Sequence, residues 1–377
     1  MNELEKVAAA FDRKDYQQAA QLLKPLYQKS PQDPWVIFYI ARLQEVNNKA
    51  EAAEKFYRQV MRETTIPKLL AQARQGLQRI QNNEENKRKQ AIAEAKNDPN
   101  NIGIGALILE PINNEDRKEA AQKFGRIMKL DPYNARQFLQ SRGWRLYRTG
   151  NIGELRVYSQ ELREANIPTF CAALTDIKKI KVFRVNYFTA ADRQATVVCQ
   201  NENNELGSVN FNWSEITWRV EGLLPIFKEV VTSDYRSRDK IKWKEITHDY
   251  AKVWDLHLPA RRCIIRLCDL TYQFQEGIKF VTQQQEKGIQ LNHATNRIKW
   301  NNLLTHINPK LSKIPIWSEF TPFAETALDY PDFLEQITPY IDVFRREDTL
   351  WDSAFQLYTG LVYLKNTSTT MTSNKNK

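Results

Sequence analysis

A period of 34 residues governs the N-terminal part of this chain. The segments DYQQAAQLLKPLYQKSP and KAEAAEKFYRQVM superpose at that offset, bringing Ala19 onto Ala53, Leu23 onto Tyr57, Leu26 onto Val60 and Val7 onto Ala41. Further on, EAAQKFGRIMKLDP repeats the internal spacings of 4, 7 and 12 at Ala120, Phe124, Ile127 and Pro132. Apolar residues three and four apart mark one helix face, and a small residue at a fixed place lets a second helix cross closely. Two short antiparallel helices per period cannot bury their apolar faces alone, so neighbouring pairs must stack into a solenoid. Pro31, Pro99 and Pro132, separated by 68 and 33 residues, fall where the second helix of a unit should stop, because proline cannot continue a helix.

The period, the A-x3-F/Y-x2-apolar-x4-P pattern and the near-repeated endings SPQDP, NDPNN and LDPYN resemble the tetratricopeptide repeat family. About five units are expected over residues 1–168. The third, near 66–100, is degenerate: one helix carries Leu69, Leu70, Ala73, Leu77 and Ile80, and the polar NNEENKRKQ leads into the other. The fourth begins irregularly with NIGIGALILEP, and the fifth keeps Leu139, Gly143, Leu146, Gly150, Leu155 and Leu162 after a slip of one residue. The resemblance implies that the first helix of each pair lines a groove for an extended or helical peptide. The candidate groove residues are then Trp35, Phe38 and Arg42 in the second unit, and Gln140, Trp144, Tyr147 and Arg148 in the fifth. Aromatic and arginine side chains dominate binding energies at interfaces, although the same tryptophans could equally pack between repeats. The Lys/Asn pattern with which some members of the family clamp a C-terminal carboxylate is absent from these helices.

After Ala165 the pattern changes. IKVFRVNYF, ATVVCQ, GSVNFNW, ITWRV, KIKWKEI, AKVWDLHL and CIIRLCDL are β-branched and aromatic runs broken by polar turns, which reads as a mostly antiparallel sheet. One helix, GLLPIFKEVV, is expected to interrupt it. Helices follow near TNRIKWNNLLTHI, up to about Arg346 and over WDSAFQLYTGLVYL, with a proline-marked loop at IPIWSEFTPF. The fold class expected is multidomain α and α+β: a repeat solenoid over 1–168, an α+β domain over 169–365 and a disordered Ser/Thr/Asn/Lys-rich tail over 366–377. VFRVNYF, ITWRVEGLLPIFKEVV and YAKVWDLHL give the chain a general similarity to uncharacterised cyanobacterial proteins with an N-terminal repeat array, which carries no activity over.

Composition narrows the function classes. The formal charge is +10, and residues 1–170 hold 28 basic against 21 acidic side chains, so +7 of the excess lies on the expected array. Such a field favours an acidic partner: a protein segment first, nucleic acid second, with peripheral contact to an anionic membrane surface also open. Only 12 glycines occur in 377 residues, and phosphate-cradling loops and the common hydrolase motifs are missing. Cys171, Cys199, Cys263 and Cys268 form no C-x-x-C pair, and Cys263 and Cys268 should point to opposite faces of one strand. His248, His257, His293 and His306 lack metal-ligand spacing, though His248 and His257 stand near Asp249 and Asp255, where alternation would leave many of these side chains exposed. Trp213, Trp218, Trp243 and Trp254 interleave with Arg219, Lys240, Lys242 and Lys244, a pattern that could stack single-stranded nucleic acid. The N-terminus MNELEKVAAAFDRKD lacks the features of a secretory signal. The expectation is a cytoplasmic adaptor or assembly factor that binds a client segment, with no catalysis, cofactor or metal.

Overall fold

The structure is a computed structural model describing residues 3–233, 241–280, 295–343 and 349–375, with side chains of 229–233, 241–245 and 368–375 excluded. The chain divides into two compact units, residues 1–94 and 95–377.

Unit 1 is helical. α1 (Glu3–Asp12) and α2 (Tyr16–Lys29) form one pair, α3 (Pro34–Val46) and α4 (Ala50–Glu63) the next, and α5 (Pro67–Asn97) follows. The period explains the core. Ala19 and Ala53 are fully buried at equivalent places, as are Leu23 and Tyr57. Gly76 on α5 is required by this packing, because a Cβ there would stand 2.4 Å from the Tyr57 ring. The expected third unit is not a helical pair. α5 runs through NNEENKRKQ without a turn, since that stretch is made of helix-tolerant polar residues and meets no breaker before Asp98-Pro99. The D-P dipeptides also act differently from the expectation. Asp33 accepts hydrogen bonds from the Trp35 and Val36 amides (2.8 and 3.4 Å) with Pro34 at the first helical position. Asp131 does the same for Tyr133 and Asn134 at the start of α7 (Pro132–Phe138). These prolines open the next element, where a missing N–H costs nothing.

Unit 2 contains two sheets. NIGIGALILEP, expected as a helix, is strand β1 (Ile104–Leu109), and the expected fifth unit contributes β2 (Arg145–Asn151), so residues 102–168 do not continue the helical array. With β3 (Thr169–Ala173) they form an antiparallel sheet of order β2-β1-β3. The physical reason is legible in β1: Ala106 and Ile108 join one core, while Leu107 and Leu109 join the core under α6 (Arg117–Met128), α7 and α8 (Ile152–Glu164). A strand buried on both faces reads as a continuous apolar run, which hydrophobic periodicity alone does not separate from a buried helix.

The second sheet has order β10-β7-β8-β9-β4-β5-β6. Its strands are β4 (Lys181–Ala191), β5 (Gln194–Gln200), β6 (Leu206–Asn212), β7 (Trp218–Ser233), β8 (Ile241–Leu258), β9 (Cys263–Cys268) and β10 (Ile316–Trp317). Pairing is antiparallel except for β4 with β9 and β10 with β7. GLLPIFKEVV is part of β7, not a helix, and Pro225 pairs with Tyr250 beside a bulge at Ile226/Phe227. One face packs on α9 (Leu174–Lys178), α11 (Phe320–Ala327), α12 (Pro331–Leu334) and α13 (Leu350–Lys375). The other packs on α10 (Asn296–Ile307) through Trp300, Leu303 and Ile307. α13 is buried from Asp352 to Tyr363, and Gly222 lets its Phe355 ring approach β7, where a Cβ would meet the ring at 2.4 Å. The backbone of α13 continues to Lys375, across most of the tail expected to be disordered, and Asn366 and Thr367 bond back to the Val362 and Tyr363 carbonyls. Residues 376–377 lie outside the described residues.

Candidate partner-binding surface

Within unit 1, α3 divides its residues between core and surface. Val36, Ile37, Phe38 and Ala41 are buried, whereas Trp35, Tyr39 and Arg42 are half-buried and Val46 is exposed. Spacings of four, three and four put these last side chains on one stripe of the helix. The stripe is held from below by Phe11 of α1: Tyr39 stacks on it at 5.3 Å, and the Arg42 guanidinium lies 4.7 Å above its ring. Trp35 stacks on Tyr39 at 6.3 Å. Of the three candidates in this unit, Trp35 and Arg42 therefore present partly open surface. Phe38, 3 % exposed and 5.9 Å from the Tyr57 ring, belongs to the core.

Beside the stripe, Glu45 accepts from the Tyr57 hydroxyl at 2.6 Å and from Arg79 at 2.8 and 2.9 Å. Burial, and next the hydrogen bond to Glu45, drive the Tyr57 hydroxyl well above its ordinary pKa. Tyr39, Glu45 and Arg79 were not among the sequence candidates. Tyr39 could have been found as the residue one turn beyond Trp35, and Glu45 with Arg79 by their separation of one period.

The four candidates of the expected fifth unit lie in unit 2 and are not on a helical groove. Gln140 follows α7, and its backbone carbonyl accepts from the Ile112 amide. Trp144 is 3 % exposed, between Phe170 and Trp317, each at 4.9 Å. The Lys365 ammonium sits 5.3 Å from its ring and is ion-paired with Glu110. Tyr147 and Arg148 stand on β2: Tyr147 packs on Phe124 and Phe138, and Arg148 covers Tyr158 and approaches Glu154 at 3.6 Å. Trp144 and Tyr147 serve different cores, on the two sides of the small sheet.

The chemistry-bearing residues of the large sheet are enclosed. Asp255, His257 and Arg266 are 0, 0 and 2 % exposed, so Asp255 and His257 do not take the surface position that alternation suggested. Arg266 donates to both carboxylate oxygens of Asp255 at 2.8 and 2.7 Å and to Gln356 at 2.9 Å, under the Phe355 ring. His257 Nε2 shares a 2.8 Å hydrogen bond with the Thr359 hydroxyl, and burial lowers its pKa to about 4. Gln356, Thr359 and Phe355 of α13 contact this set, so these groups hold the helix to the sheet. His248 is exposed on β8, and the side chain of His293 lies outside the described residues. Cys263 and Cys268 enter the two different cores, as strand alternation requires. All four thiols are free, and burial raises each to about 11. Among the described residues no three His, Cys, Asp or Glu side chains gather as metal ligands.

The basic and aromatic pattern does not form an open stacking face where it is described. Trp213 and Trp254 are core residues, and Arg219 lies 4.2 Å over Trp254 while bonded to Asn308 and Glu221. Trp218 is half-buried. The side chains of Lys240, Lys242, Trp243 and Lys244 lie outside the described residues. A surface cleft of about 400 Å³ opens at the start of α6, lined by Ile112, Asp116, Glu119, Lys123 and Asn166 among others. It is polar, carries both signs of charge and assembles no acid–base pair with a buried member. No helix among the described residues is long and apolar enough to cross a membrane.

Comparison of the chain with curated proteins and with solved structures gives no match. The tetratricopeptide repeat family model matches residues 10–65, and over that stretch, from the end of α1 through α4, this chain is similar to tetratricopeptide repeat proteins.

Proposed function

We propose that this protein is an interaction adaptor, without catalysis, in which unit 1 takes up a segment of a partner protein along the α3 stripe. The supporting observation is that the repeat-matching stretch contains one helix face, Trp35, Tyr39, Arg42 and Val46, that its own core leaves partly open. A half-buried tryptophan and an arginine braced over an aromatic ring are preorganised anchors, losing little side-chain freedom on binding. Unit 1 itself holds 16 basic against 12 acidic side chains over residues 1–94, and this basic excess favours an acidic segment and would raise its association rate. We place the protein in a bacterial cytoplasm on the general likeness of the chain to uncharacterised cyanobacterial proteins.

The test is affinity capture from native lysate with the full chain and a Trp35→Ala/Arg42→Ala variant, each with and without nuclease. A discrete protein that survives nuclease and is lost from the variant supports the reading. Recovery of nucleic acid alone, or equal capture by the variant, overturns it.

A further inference from the structure

The two ends of the seven-stranded sheet are built differently. At one end β10 is only two residues long and is preceded by Pro315. Beyond it β7 pairs with no other strand on that side among the described residues, and this stretch carries Pro225 and a bulge. These are the devices by which soluble proteins keep sheet edges from pairing. At the other end β6 has none of them. It pairs with β5 over seven consecutive residues without a bulge, and its sequence LGSVNFN contains neither proline nor charge. Among the described residues no strand pairs with its outer side.

The direction of its free backbone groups follows from the hairpin. The Asn201 amide donates to the Glu205 carbonyl at 3.1 Å, and the register continues from Gln200↔Leu206 to Gln194↔Asn212. Hydrogen-bonded and non-hydrogen-bonded pairs alternate in an antiparallel ladder. Gly207, Val209 and Phe211 therefore bond to β5, and Leu206, Ser208, Asn210 and Asn212 turn their backbone groups outward. The amide of Asn212 is capped by Glu215 at 2.7 Å, which ends the free edge.

We infer that β6 is a self-association edge, pairing antiparallel with β6 of a second copy about a twofold axis through Val209. The strand is self-complementary in that register. Ser208 of each copy faces Asn210 of the other, and these outward-directed residues exchange four backbone hydrogen bonds. Val209 meets Val209 in a non-hydrogen-bonded pair, where side chains stand closest. Gly207 faces Phe211, and a Cβ built at Gly207 meets nothing within 4 Å, so that end of the register is uncrowded. A strand without charge puts no like charges opposite each other when it pairs with itself, whereas a charged client strand would find no complementary charge on β6.

Sedimentation equilibrium of the full chain over a wide micromolar range, with two substitutions, tests this. Wild type is expected to dimerise. Ser208→Pro removes an outward amide that β5 does not use and should weaken the dimer by roughly tenfold or more, since two copies each lose a backbone bond. Val209→Cys should give a disulfide-linked dimer on oxidation, because directly opposed Cα atoms in such a pair lie about 4.5 Å apart, within disulfide reach. Ser208→Cys should not, and neither should wild type with its four native thiols. A chain that stays monomeric throughout overturns the inference. So does a dimer indifferent to Ser208→Pro, or one cross-linked equally well at 208 and 209.

Discussion

Glu45 and Arg79 are separated by one repeat period and joined by two hydrogen bonds, Nε to Oε1 at 2.8 Å and Nη2 to Oε2 at 2.9 Å. The same carboxylate accepts from Tyr57, whose ring is fully buried. The pair ties α3 to α5 at equivalent positions, but its two ends differ in surroundings. Arg79 is 43 % exposed and can be rehydrated, whereas the Tyr57 hydroxyl belongs to a fully buried side chain and donates to Glu45 at 2.6 Å. Glu45→Ala should therefore cost about 1–3 kcal/mol. Arg79→Ala should cost less than about 1 kcal/mol. Urea denaturation of the full chain, followed by Tyr57-sensitive near-ultraviolet signals, distinguishes the two. Equal losses would mean that the ion pair matters more than the buried hydroxyl.

Asp255 and Arg266 form a pair of another kind. Both are buried, and Gln356 and the Pro339 and Tyr340 carbonyls take up the remaining guanidinium hydrogens. Removing one charge strands the other without water, so Asp255→Ala or Arg266→Met alone should cost about 3–5 kcal/mol. The double variant Asp255→Leu/Arg266→Met should recover much of that loss. A double-mutant cycle by urea denaturation reads the coupling, and additive losses would show that the pair does not act as a unit.

His257 gives a pH dependence whose sign is fixed by burial. Its Nε2 is bonded to Thr359, its Nδ1 has no hydrogen-bond partner among the described residues, and Asp255, Arg266 and Tyr363 are ionisable groups near it. Desolvation is the largest influence, Asp255 opposes it and Arg266 adds to it, and together they lower the pKa from 6.5 to about 4. The unfolded chain then binds the proton more readily. The contribution to stability is complete above about pH 6.5 and is lost as pH falls toward about 4, at up to roughly 1.4 kcal/mol per pH unit. His257→Gln keeps a side-chain hydrogen bond and removes the titration. Its stability should fall less than that of wild type between those pH values, with the neighbouring carboxylates as common background.

The elements that the sequence reads well carry their own signals. α1 to α4 show period 3.6 and period 34 together, and β4, β5 and β9 stop at their polar turns. The misread elements share a cause: their neighbours, not their own sequence, decide their structure. β1 is apolar on both sides because its alternate residues enter two different cores, one under α6 to α8 and one shared with α9, α11 and α13, and it resembles a short buried helix. β7 tolerates Pro225 because, among the described residues, that stretch has a strand on one side only. NNEENKRKQ has no apolar face to mark a turn or a pair, and without a breaker the helix continues. The candidate surface divides along the same line. Trp35 and Arg42 stay partly open on a helix with one buried face, whereas Tyr147 lies on a strand between two cores and Trp144 just before it, where a helix is expected from the repeat.

That division yields a paired prediction. Trp144 touches Phe170, Trp317 and Tyr358 and is covered by Lys365. Trp144→Ala should therefore destabilise the protein by about 3–5 kcal/mol, the range for deleting a packed aromatic side chain. Trp35→Ala leaves Val36, Ile37 and Phe38 in place and removes a half-buried ring, so about 1–2 kcal/mol is expected, in proportion to the smaller area involved. Partner capture should show the opposite ranking once each variant is assayed well below its unfolding temperature. Trp35→Ala, and more strongly Trp35→Ala/Arg42→Ala, should lose binding, and Trp144→Ala should retain it. Thermal denaturation and capture measured on the same preparations check both halves. If Trp144→Ala stays as stable as wild type yet loses the partner, the working surface lies on unit 2 and the α3 stripe is structural.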